Sequence, residues 1–253
     1  HGNLIRMNRT RYVRDNVFWY SSANKIYENS GADSRYSLHF MYADRNEILS
    51  NDYRRNSVGI FLMFSQGSTL KRNFVADSTG PFGIGIGMKE SSDILVEENQ
   101  ILYNARGFYL DSSPYQPGTF NTFRGNEINF NTTAFLLHGT LLPSLFESNV
   151  FKGNIEDVAN DTPESKLEIN TWRSNYWDNY EGFDRNDDGY GDIPHEQWMY
   201  ADRIWSYLPA AKFFYASPVL DFMNFLWRLM PFAEPVLLAR DARPQIRERG
   251  TEK

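Results

Sequence analysis

The sequence predicts an all-β fold, a right-handed parallel β-helix solenoid followed by a calcium-type loop and C-terminal helices. Three observations predict it. A hexad of the form Asn-x-apolar-x-x-(Asn/Ser) starts at Asn3, Asn24, Asn46, Asn73, Asn99, Asn126 and Asn149, with a degenerate eighth copy at Asn175. Successive copies are 21, 22, 27, 26, 27, 23 and 26 residues apart, a period that describes a solenoid whose rungs differ in loop length. The apolar positions around the hexads alternate with period two, which excludes the helical repeats that share this length.

Stacking the hexads puts Ile5, Ile26, Ile48, Val75, Ile101, Ile128, Phe151 and Trp177 in one inward column. Leu70, Val96, Phe123, Phe146 and Trp172, three residues before their hexads, form a second. The asparagines suit tight corners, because Asn tolerates left-handed φ and its amide can bond along a ladder. A second strand per rung aligns after the turn: "SLHFM" at Ser37, "GIFLM" at Gly59, "GIGMK" at Gly85, "GFYLD" at Gly107 and "AFLLH" at Ala134. Its core face takes Leu38, Ile60, Ile86, Phe108 and Phe135, then Phe40, Leu62, Met88, Leu110 and Leu137.

The opposite face of these strands carries His39, Phe61, Gly87, Tyr109 and Leu136, beside Met41, Met63, Lys89, Asp111 and His138. It is unusually apolar and soft for an exposed sheet. Neighbouring rungs stand about 4.8 Å apart, so His39, Met41 and Met63 are expected to cluster, with His138 further along the same column. Imidazole and thioether groups suit Cu(I) better than magnesium or calcium. The competing reading is a face covered by a loop or a partner, with Met filling gaps.

After residues 1–180, read as β-helix rungs, the composition changes. Residues 181–200 form an Asp/Gly-rich loop in which Asp184, Asn186, Asp188 and Asp192 stand at positions 1, 3, 5 and 9 of a calcium loop. Gly189 stands at position 6 and the Tyr190 carbonyl at position 7. His195 replaces the bidentate Glu at position 12, so the loop is incomplete; a calcium ion there would be structural. Residues 201–232 turn helical. Ser217 and Pro218 read as an N-cap and first helical residue, and Pro231 ends the segment. Pro218, Leu220, Phe222, Met223, Phe225, Leu226, Trp227, Leu229 and Met230 make this helix apolar nearly all round, yet it is too short to span a bilayer. An outside partner is the favoured reading, ahead of a cap on the solenoid. Residues 233–253 read as an extended charged tail, with the last stretch, "ARDARPQIRERGTEK", disordered.

Composition closes several classes. The chain has no cysteine, which excludes disulfides, thiolate metal sites and cysteine nucleophiles. A net charge of −6 gives no electrostatic case for nucleic acid. The chain starts at His1, so any export signal is expected upstream.

"NYWDNYEGFDRNDDGYGDIPH" followed by "DRIWSYLPAAKFFYASPVLDFMNFLWRLMPF" resembles the C-terminal half of the NosD family. The hexads are similar to that family's CASH-type β-helix repeats. The resemblance implies a periplasmic, non-enzymatic maturation factor for nitrous oxide reductase in denitrification, assembling its copper–sulfide cluster with transient Cu(I). It implies an ABC transporter as partner, its membrane subunit bound by the Ser217–Met230 helix alongside the ATPase subunit, together with a copper chaperone lipoprotein and the reductase. The resemblance assigns no copper ligands; His39, Met41, Met63 and His138 come from the column argument alone. Two rivals stand beside this reading. A β-helix polysaccharide lyase, hydrolase or epimerase would need facing carboxylates, and the exposed columns offer only Asp111 beside Lys89. A passive surface β-helix module would leave the apolar helix unexplained.

Overall fold

The computed structural model describes residues 1–199, 217–229 and 235–248. The chain winds as a solenoid of parallel strands, three short strands to a rung, and each strand hydrogen-bonds to its equivalent one rung away. The first sheet runs from Leu4–Arg6 to Thr171–Arg173, the second from Arg9–Arg11 to Tyr176–Trp177, and the third from Asp15–Trp19 to Glu156–Asn160.

The three-sheet rung corrects the stacking of the hexads. The first-sheet column is Ile5, Ile26, Ile48, Leu70, Val96, Phe123, Phe146 and Trp172. The second-sheet column is Thr10, Gly31, Tyr53, Val75, Ile101, Ile128, Phe151 and Trp177. Hexads at Asn3, Asn24 and Asn46 therefore open first-sheet strands, whereas those from Asn73 onward open second-sheet strands. The 27-residue step from Asn46 to Asn73 is one rung of 22 residues, counted from Asn51, plus a change of corner.

The bend between the two sheets also differs from expectation. The left-handed residue is not the asparagine but the one before it: Met7, Glu28, Ser50, Arg72, Glu98, Gly125, Ser148 and Ser174 all have φ between 53° and 62°. The asparagines that follow form an amide ladder, exposed at Asn8 and buried through Asn29, Asn51, Asn73, Asn99, Asn126, Asn149 and Asn175. Each side-chain Nδ2 donates to Oδ1 of the next at 2.9–3.0 Å. Buried polar groups that all find partners cost little, and in this arrangement they also fix the rung register.

Inside the solenoid the columns change from aliphatic to aromatic along the axis. Phe123, Phe146 and Trp172 stack at centroid distances of 4.9 and 3.8 Å, and Phe151 lies on Trp177 at 4.1 Å. Such flat rings repeat well at the spacing of parallel strands.

The ladder ends on Asp241. Strand Val236–Asp241 continues the first sheet beyond Thr171–Arg173 and pairs antiparallel with His195–Met199. The fully buried Asp241 carboxylate accepts from Asn175 N and Nδ2, both at 2.8 Å, and from Ser174 N at 3.1 Å. The disorder expected from Ala239 onward is thus overturned for residues 239–241, which end the strand: an acceptor-only side chain suits the last place in a ladder of donors. Helix Pro218–Leu229 lies in the connection between these paired strands. The helical expectation for 201–216, and Met230, fall outside the described residues.

Candidate functional site

The third sheet has the register expected of it. Leu38, Ile60, Ile86, Phe108 and Phe135 share one column and are buried, as are Phe40, Leu62, Met88, Leu110 and Leu137. The outward columns follow: His39 opposite Phe61 and Gly87, and Met41 opposite Met63 and Lys89.

A kink at the start of each third-sheet strand shapes this face. Ser37 and Leu38 are both buried, so the strict alternation breaks and Tyr36 and His39 emerge on the same side. The kink presses the column after Ser37 against the next rung. A Cβ on Gly59 would stand 2.5 Å from the Gly85 carbonyl oxygen, and one on Gly85 2.7 Å from that of Gly107. Only small residues fit there.

On the outer face the His39 ring stacks on Tyr36 at 4.6 Å and 17°, and meets Phe61 edge-on at 6.2 Å and 88°. Its Nε2 lies 3.1 Å from Met63 Sδ. Burial against these rings lowers the His39 pKa; Asp15, held in an ion pair by Arg35, pulls it the other way. A neutral imidazole beside a thioether is a soft donor pair. Met41 stands next to Met63 in the adjoining rung and two residues along the strand from His39. Phe61 lies on this face as the column predicts, but Tyr36 escaped sequence reasoning because residues three apart on a regular strand face opposite ways; the only signal was the column of small residues that makes the kink.

His138 is not part of this group. Three rung steps separate it from Met63, through Lys89 and Asp111, or about 14 Å at ordinary strand spacing. Its Nδ1 is 2.8 Å from Asp161 Oδ1 and 3.0 Å from Thr162 Oγ1. Asp111, the acid of the lyase reading, is paired with Lys89 at 3.0 Å.

The calcium-type loop is closed by the protein's own groups. Asp184 Oδ2 accepts from Gly189 N at 2.8 Å, Asp192 Oδ2 accepts from Arg185 N at 2.8 Å, and Asp188 Oδ2 is paired with Arg243 at 2.9 Å. The Arg243 guanidinium also sits 3.9 Å over the Tyr190 ring. Among the described residues no group of three or more His, Cys, Asp or Glu side chains is placed to hold a metal ion. With Asp188 paired to Arg243 and no three acidic side chains converging, the donor set of Asp184, Asn186, Asp188, Tyr190 and Asp192 does not fit calcium in this arrangement.

On helix Pro218–Leu229, Val219, Phe222, Met223, Phe225, Leu226 and Leu229 are exposed. Their spacing draws an exposed apolar stripe along one side. The side chains of Leu220 and Trp227 are not among those described. No described helix is long and apolar enough to cross a membrane.

Fold and faces together define a parallel β-solenoid with imidazole and thioether groups on one outer sheet, and an apolar helix in the connection between its two closing strands. Residues 1–182 match the family described as "Periplasmic copper-binding protein (NosD)". The chain belongs to the NosD family. It is 28% identical over 177 residues to the "Probable ABC transporter binding protein NosD" of Stutzerimonas stutzeri, covering 68% of this chain and 36% of that protein. It is 30% identical over 129 residues to the protein of the same description from Pseudomonas aeruginosa, covering 51% and 30% respectively. The chain thus spans about a third of the length of the curated relatives it matches.

Proposed function

We propose that this chain is a non-enzymatic accessory protein in assembly of the copper–sulfide cluster of nitrous oxide reductase, working in the periplasm. Cu(I) is its cargo, carried transiently on the outer face of the third sheet by His39, Met41 and Met63. The observation that carries this reading is the 3.1 Å approach of His39 Nε2 to Met63 Sδ on a family member whose family is described as copper-binding. A set of one imidazole and two thioethers, without carboxylate or thiolate, favours Cu(I) over harder divalent ions. It also holds the ion weakly enough for transfer onward.

The helix Pro218–Leu229 is the dock in this proposal. Its exposed apolar stripe would seat on the membrane subunit of an ABC transporter, in line with the description its relatives carry. The solenoid face then stands free toward a copper chaperone lipoprotein and the reductase.

Competition of the protein with a colorimetric Cu(I) chelator tests the cargo site. His39→Ala and Met63→Ala should each weaken Cu(I) binding by tenfold or more. Equal binding by wild type and both variants would overturn the assignment.

A further inference from the structure

We infer that Tyr36, Phe61 and Gly87 act together as a clamp that orients His39 toward Met63, making them positioning residues for the Cu(I) site. The inference rests on the cargo reading above and deepens it. Three observations carry it, each from a different rung.

The kink at Ser37 turns Tyr36 and His39 to one side, and their rings lie nearly parallel at 4.6 Å. A flat plate on one face of the imidazole removes rotation about its χ2. In the next rung, in register with His39, Phe61 presents an edge to both rings, 6.0 Å and 90° from Tyr36 and 6.2 Å and 88° from His39. Two perpendicular contacts leave the ring one resting plane, and in that plane Nε2 faces Met63 Sδ.

The third rung decides where Phe61 itself sits. Its ring lies across Gly87: a Cβ there would stand 2.3 Å from Phe61 Cε2 and 2.4 Å from Cδ2. Gly87 thus makes room for a ring that would otherwise be driven back toward His39 and Met63. Phe61 is held against this floor by Val58 and Ile84, with Tyr36, Met63 and Tyr109 packed around it. The imidazole is therefore aligned before any ion arrives, so that binding loses less side-chain freedom. Groups that orient a metal ligand without touching the metal commonly change affinity by 10- to 100-fold.

The test compares Tyr36→Phe, Tyr36→Leu and Gly87→Ala with wild type and His39→Ala. Cu(I) affinity is read by chelator competition, and the His39 imidazole 15N resonances are followed with Ag(I) as a diamagnetic probe. Tyr36→Phe keeps the plate and should bind within about twofold of wild type. Tyr36→Leu and Gly87→Ala should bind about tenfold more weakly, with His39 resonances shifted or broadened and those of His138 and His195 unchanged. Wild-type affinity and unmoved His39 resonances in both variants would overturn the clamp while leaving the cargo site intact. Equal Cu(I) binding by wild type and His39→Ala would instead remove the cargo reading itself. The ion-free protein gives a check that needs no variant: the Tyr36 ring current should move the His39 ring protons upfield, and unshifted protons would exclude the stack.

Discussion

Asn99 shows how one side chain closes a rung. Its Oδ1 accepts from Asn73 N and Nδ2, both at 2.9 Å, while its Nδ2 donates to Leu70 O, Glu97 O and Asn126 Oδ1. Asn99→Ala strands a buried amide and a buried carbonyl, and should cost about 3 kcal/mol or more, read as a lower midpoint in urea unfolding. An unchanged midpoint would mean that the ladder is ornamental. The repeated asparagine was plain in the sequence, but its job was half legible. Amide laddering follows from residue type. The left-handed bend does not, because the residues that adopt it (Met7, Glu28, Ser50, Arg72, Glu98) share no chemistry. Their conformation is imposed by the rung rather than chosen locally, and each such non-glycine residue costs on the order of 1 kcal/mol. Ser50→Gly, at φ 53° on the surface corner, should therefore raise the midpoint slightly or leave it unchanged, whereas a β-branched Ser50→Val should lower it.

Among the elements, the helix and the strand after it were unequally legible. Helix Pro218–Leu229 announced itself by its Ser-Pro start and apolar spacing. The strand Val236–Asp241 did not, because its partner Trp172 and its antiparallel neighbour His195–Met199 lie far off in sequence and the flanking "ARDARPQIRERG" reads as charge. Asp241 betrays the strand only once the ladder is in view. The two elements should separate in experiment. Phe222→Asp with Leu226→Asp places charges in the exposed stripe and should abolish co-purification with a transporter membrane subunit, with stability within about 0.5 kcal/mol of wild type. Survival of the complex would refute the dock. Asp241→Ala should do the reverse, lowering stability by about 3 kcal/mol or more through the donors it strands on Ser174 and Asn175. The helix stripe itself would be untouched.

At the scale of the whole molecule, the solenoid and its closing hairpin meet in a buried polar joint with two opposed titrations. Asp157, on the last third-sheet strand, accepts from Asn154 Nδ2 at 3.0 Å and Gln197 Nε2 at 3.1 Å. Burial, with the charge of Asp178 nearby, pushes its pKa up to about 6. Across the same Gln197 amide, at 3.3 Å, lies His195 Nε2, its ring stacked on Trp177 at 4.8 Å. Burial takes His195 down to about 4. The raised carboxylate stabilises the fold below pH 4 and loses that contribution as pH rises through 6. The depressed imidazole contributes above pH 6.5 and loses it as pH falls through 4. The windows overlap and the two slopes oppose each other, so wild-type stability should change less from pH 4 to 6.5 than that of either single variant. Asp157→Asn should make it rise with pH across that range, and His195→Gln should make it fall, both measured by urea midpoints in a pH series. Parallel profiles in the two variants would break the argument. A joint built this way sets two opposed pH responses against each other where the solenoid meets its closing hairpin.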